Sequence, residues 1–99
     1  MINITLTERK LEVSGHARRP EGAPPGANII CAAVSALTLS LVEGLTQVSH
    51  DDISVQQRDG YMAIAWDWGT LSDRGRALID TWYLGILNIK EAYGEITIL

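Results

Sequence analysis

The chain has 99 residues, 46% hydrophobic and 20% charged, a formal net charge of −4 and one cysteine. That length makes a single domain able to bury a core without staples, and the composition excludes a disordered chain. One cysteine excludes an internal disulfide and cysteine-rich zinc sites, and the mild acidity gives no electrostatic case for binding nucleic acid or an anionic membrane.

Ile2, Ile4 and Leu6 alternate with Asn3, Thr5 and Thr7, the period of a half-buried strand. Leu11 and Val13 repeat the alternation after Glu8-Arg9-Lys10, which predicts a β-hairpin ending near Ser14-Gly15 with His16 at its lip. This opening lacks the continuous apolar run of a signal peptide. No stretch is expected to supply the ~20 apolar residues of a membrane span. Since a lone thiol suits a reducing compartment, a cytoplasmic location is expected.

Arg18 to Ala27 contains Pro20, Gly22, Pro24, Pro25 and Gly26, so it reads as an exposed flap. Asn28 is a good N-cap for a helix running to about Leu45, with Gly44 near its end. Ile30, Ala33, Val34, Leu37, Leu41 and Leu45 form its apolar stripe. Cys31 falls roughly 120° from the stripe's centre, beside Asn28, Ser35 and Thr38, and so off the main core. Leu39 and Val42 share that second face, which a second helix or a partner subunit is expected to cover in part.

Ile53–Gln57 and Tyr61–Trp66 flank Asp59-Gly60, a signal for a two-residue hairpin turn. Trp66 and Trp68 read as a cap on the core rather than the wall of a peptide groove. Ser72 caps a second helix, about Asp73 to Ala92, with Leu78, Trp82, Ile86 and Ile89 inward. Gly94 ends it and Glu95–Leu99 is a final strand. The order β-β-α-β-β-α-β over residues 1–99 predicts one α+β domain, a two-layer sandwich of two helices on a mainly antiparallel sheet.

The chemistry gathers at Cys31 and His16. A thiol in the first turn of a helix meets the positive end of the helix dipole and unpaired N–H groups, which favour its anion. An imidazole delivered from the strand end can take the thiol proton and return it to a leaving amine, while N–H groups near Cys31 are candidates for holding an oxyanion. Asn28 is a possible orienting group for His16, in competition with its capping duty. Ser35, one turn on from Cys31, shares its face, although a helix hydroxyl also bonds readily to a preceding carbonyl. His50 lies beside Asp51 and Asp52, too few ligands for a metal site, and no metal or cofactor is expected.

Gly15-His16-Ala17, followed by Ile29-Ile30-Cys31-Ala32-Ala33-Val34-Ser35-Ala36-Leu37, resembles the ribosomal-processing cysteine protease (Prp) family. That family pairs a Gly-His-Ala strand end and a glycine-bearing loop with a helix opening Asp-Ile-Val-Cys-Ala-Ala-Val-Ser. The resemblance implies a cytoplasmic, homodimeric endopeptidase whose substrate is the precursor of a large-subunit ribosomal protein, cut at its N-terminal extension. It also implies Cys31 as nucleophile and His16 as base and acid, with Gly26 in the loop that rearranges over substrate. Asn28, Ser35 and Gly26 are the expected substrate-side residues. Asn28 stands where the family usually has aspartate, and the loop before it is longer and richer in proline. These departures motivate an alternative, a weakly active or inactive homologue serving as a dimeric protein-binding module.

Overall fold

In the computed structural model of the chain, the described residues are 1–17 and 28–99. They form β1 (Ile2–Leu6), β2 (Lys10–Gly15), α1 (Ile29–Glu43), a π-helical turn (Gly44–Val48), β3 (Ile53–Arg58), β4 (Tyr61–Trp66), α2 (Asp73–Tyr93) and β5 (Ile96–Ile98). The element order is the one the hydrophobic pattern predicts, and the fold is α+β. The flap Arg18–Ala27, and Gly26 with it, lies outside the described residues.

The strands make one open sheet in the order β3-β4-β2-β1-β5. The β1–β2, β2–β4 and β3–β4 pairs are antiparallel, while β1 and β5 are parallel. The exception follows from connectivity, since β5 is reached through α2 rather than through a tight turn. The registers Ile4↔Val13, Val13↔Met62 and Leu11↔Ile64 put the alternating apolar residues of β1, β2 and β4 on one face. Ile2, Ile4, Leu11, Ile64 and Ile96 are buried there with Val34, Leu41 and Leu45 of the first helical segment and Ile79, Trp82 and Ile86 of α2. Each such aliphatic side chain, fully buried, contributes about 1.5–3 kcal/mol. The opposite face carries Lys10, Glu12, Ser14, Arg58 and Tyr61, with Lys10 Nζ 2.7 Å from Glu12 Oε1.

The two helices do not cover the whole sheet. Val55, on the outer strand β3 and opposite Ile64, remains 41% exposed although it sits on the apolar face. A cleft therefore opens between the β3–β4 hairpin and α1, at the end of the sheet where β1 begins and β2 stops.

The α-helix ends at Glu43 with Gly44 as its C-cap, close to the predicted end; Gly44 keeps right-handed helical torsions, φ −62° and ψ −45°, and a π-helical turn carries the chain on to Val48. Two expectations are corrected. Thr38, assigned by periodicity to the half-covered face, is 1% exposed. Its hydroxyl donates to the Val34 carbonyl at 2.7 Å and accepts from Trp82 Nε1 at 3.0 Å, so the large indole needs this threonine where an aliphatic stripe alone would not. Thr38→Val should cost about 1–3 kcal/mol in a denaturant melt, because it buries the indole N–H without an acceptor.

Second, Ile29–Val48 is long and apolar enough, by length and composition, to cross a membrane. Its one charged residue is Glu43, and the alanines, serines and threonines of its weaker face scarcely lower its mean hydropathy. Here Val34, Thr38, Leu41 and Leu45 are spent in the core of a sheet domain, and a core helix passes the same test.

At the far end of the sheet, Ser72 caps α2 by accepting from the Gly75 N–H at 3.0 Å, and Asp51 holds Ser72 in turn. The Asp51 carboxylate accepts from the Ser72 N–H at 2.8 Å and from its hydroxyl at 2.7 Å. Burial alone would raise the Asp51 pKa, but hydrogen bonds from Ser49 and from the Ser72 backbone and hydroxyl together hold it below the usual 3.8. A depressed carboxyl stabilises the fold above its unfolded-state pKa, and that stability is lost as pH falls through its folded value. Asp51→Ala should therefore cost about 1–3 kcal/mol at pH 7. In melts taken at successively lower pH, its deficit against wild type should shrink below pH ~4.

Candidate active site

Cys31 enters the cleft because Asn28 starts the helix where the sequence places it. Asn28 has extended torsions, φ −86° and ψ 101°, and its Oδ1 accepts from the Cys31 N–H at 3.0 Å. The thiol is half-buried and free. His16 leaves the end of β2 just past Gly15, whose φ of 91° turns the chain out of the strand. Gly15 N–H donates to the Gly60 carbonyl at 2.9 Å, tying this exit to the tip of the β3–β4 hairpin.

His16 and Cys31 line one cavity of about 580 Å³. Ile2, Val13, Val34 and Met62 give it an apolar side, Ser35 and Gln57 give it polar side chains, and the hairpin tip from Arg58 to Tyr61 forms its edge. On the outer face of the hairpin the Arg58 guanidinium lies 3.9 Å from the Tyr61 ring centre, a cation resting on an aromatic face. Among the described residues no group of three or more His, Cys, Asp or Glu side chains is placed to hold a metal ion. His50 stands apart in the loop before β3, exposed, with φ 54°.

Among the described residues the sulfur's hydrogen-bond partner is a main-chain group: the Ala17 N–H donates to Cys31 Sγ at 3.3 Å. The imidazole leans on the hairpin instead. A Cβ built on Gly60 would lie 2.7 Å from His16 Nε2, so the ring occupies space that only glycine leaves open. Asn28 Nδ2 donates to the Ala17 carbonyl at 2.7 Å, so the carboxamide is engaged within the chain at both ends. The Cys31 and Ala32 N–H groups are taken by Asn28 Oδ1 and O, which removes two of the expected oxyanion donors. Ser35 is exposed and lines the cleft one turn beyond Cys31.

Thus Cys31, His16, Ser35 and Asn28 are brought to one end of the sheet. Gly60, Gln57, Met62 and the Ala17 backbone join them unannounced. The Asp59-Gly60 signal marks a turn, but which residue that turn faces depends on β4 pairing with β2, a long-range contact that no local pattern encodes. Trp66 is buried in the core as expected. Trp68 is 45% exposed, stacks under Arg76 at 4.0 Å, and with Leu6, Leu71 and Ile79 lines a separate cavity at the far end of the sheet.

A small α+β sandwich with a thiol and an imidazole opening on one cleft has the layout of a cysteine peptidase. The chain belongs to the family of the cysteine protease Prp, whose model matches residues 1–97. Among solved structures, SMU.848 from Streptococcus mutans is similar at a TM-score of 0.81 and 32% identity, over 99% of this chain and 91% of that one. The ribosomal processing protease Prp from S. aureus, in complex with a covalently linked product peptide, is similar at a TM-score of 0.81 and 21% identity, over 98% of this chain and 94% of that one. The same protease with a substrate peptide gives 0.76 and 20%, over 99% and 95%. No curated protein matches the sequence significantly.

Proposed function

We propose that the chain is a cysteine endopeptidase that removes an N-terminal extension from a large-subunit ribosomal protein, with Cys31 as nucleophile and His16 as general base and acid. The observation that carries this is the convergence of thiol and imidazole on one cleft, in a chain of the Prp family. The similar S. aureus structures, described with a substrate peptide and a covalently linked product, support a peptide as the ligand.

In the reaction His16 takes the Sγ–H proton and the sulfur adds to the scissile carbonyl carbon. The imidazolium then protonates the leaving amine as the C–N bond breaks, which leaves a thioester on Cys31. Water, losing a proton to the same imidazole, adds to the thioester carbonyl, and the C–S bond breaks to release the acid and regenerate the thiol. The sulfur is hydrogen-bonded to the Ala17 N–H and the imidazole rests against Gly60, so the proposed proton transfer requires ring and sulfur to approach one another. Loose geometry in a free enzyme is compatible with such a step.

The proposal includes a homodimer working in the cytoplasm, the second copy covering apolar residues left exposed on the helices, such as Leu39, Leu84 and Leu87. The resting imidazole and Asn28 at the family's aspartate position favour a second reading, a binding module without turnover. The experiment is cleavage, by the wild-type chain beside its Cys31→Ala and His16→Ala variants, of a peptide spanning the extension junction of the host's own ribosomal protein. Products cut at one bond by wild type alone support the protease. Binding of that peptide without any cleavage would replace it with the module.

A further inference from the structure

Three hydrogen bonds close a ring around the thiol. Cys31 N–H donates to Asn28 Oδ1 at 3.0 Å, Asn28 Nδ2 donates to Ala17 O at 2.7 Å, and Ala17 N–H donates to Cys31 Sγ at 3.3 Å. Ala17 is 6% exposed, so its two polar backbone groups have little recourse to water. The middle bond fixes the chemistry of the side chain. Only a group that accepts at one atom and donates at its neighbour can bridge an N–H and a carbonyl, and a carboxamide does so. A carboxylate accepts at both oxygens and would meet the Ala17 carbonyl with repulsion.

We propose that Asn28 is a positioning residue: its carboxamide pins Ala17 so that the Ala17 main-chain N–H is aimed at the Cys31 sulfur and holds the thiolate that attacks. This rests on Cys31 being the nucleophile. Donation from an N–H to a charged acceptor is stronger than to a neutral one, so the contact suits a sulfur that carries charge during the attack. The ring also couples the two elements that carry the reactive pair, because Ala17 directly follows His16 and Asn28 caps the helix of Cys31. Asparagine here is thus a different device from the aspartate usual in the family, rather than a silent exchange of one good cap for another.

The test compares Asn28→Asp and Asn28→Ser with wild type. Both replacements keep an N-cap acceptor for the Cys31 N–H, so a purely capping role predicts little change. Neither can donate to Ala17 O as the carboxamide does: aspartate lacks the hydrogen and serine is too short. The readout is the rate of Cys31 alkylation by iodoacetamide across pH 5–9, with thermal melts confirming that each variant is folded. At pH 7 the Asn28→Asp rate should fall about tenfold or more. Its profile should move toward higher pH by about one pH unit, because thiolate at a fixed pH below the thiol pKa falls tenfold for each unit that pKa rises. Asn28→Ser should fall less, having lost the donor without gaining a charge. Wild-type alkylation profiles in both folded variants would overturn the proposal. Because alkylation needs no substrate, the comparison decides the clamp even for a chain that fails to cut the ribosomal peptide.

Discussion

Replacing Cys31 with alanine should lower kcat/KM for the ribosomal peptide by on the order of 10⁴-fold or more, because the covalent route disappears and only binding and polarisation remain. His16→Ala should lower it by about 10²–10⁴-fold, the usual span for a positioned general acid–base. The sizes differ for a physical reason: a thiolate still forms, rarely, without the imidazole, whereas no other side chain in the cleft supplies a nucleophile of sulfur's strength. The double variant should be no slower than Cys31→Ala alone, since both residues serve one pathway. Steady-state kinetics, with melts confirming that the variants fold, check all three values. Additive losses in the double variant would mean that His16 acts on something other than the thiol.

Gly60→Ala should lower kcat/KM by about 10²-fold although Gly60 takes no part in the chemistry, because a displacement near 1 Å in a reacting group commonly costs that much. The new Cβ would lie 2.7 Å from His16 Nε2 and 3.4 Å from both neighbouring ring carbons, so the imidazole must move. Gly60 also has φ 69°, so alanine adds backbone strain of about 1–2 kcal/mol. Gly94→Ala separates the two effects. Gly94 has φ 71° and nothing within 4 Å of its would-be Cβ, so its alanine carries strain with no collision. Both variants should melt earlier than wild type, and only Gly60→Ala should lose turnover. Equal kinetics in the two would show that the hairpin tip does not seat the imidazole.

Much of the architecture was legible because it is written in local periods. Alternation in Ile2–Leu6 and Tyr61–Trp66, the caps Asn28 and Ser72 and the turn at Asp59-Gly60 each draw on neighbours a few residues away, and the element order followed from them. The placement of His16 just past a strand end and of Cys31 in a first helical turn was legible for the same reason. The apolar stripe of α1 misplaced Thr38 because a helical wheel ranks side chains by polarity and is blind to a partner such as the Trp82 indole. The end of α1 at Gly44 was legible from a glycine's weak helix preference, whereas the π-helical turn that follows, with Leu45 fully buried, depends on packing.

By itself the sequence determined the class of fold, the seats of His16 and Cys31 within it and the family those residues resemble, all through contacts short in chain distance or a short motif. Only tertiary structure decided that Gly60 lies against His16, that Ala17 N–H meets the sulfur, and that the Asn28 carboxamide is engaged at both ends. Those contacts depend on which strand pairs with which and where a helix lands on a sheet. Such pairings are set by burying the whole apolar face at once, a sum over the chain that no single segment carries.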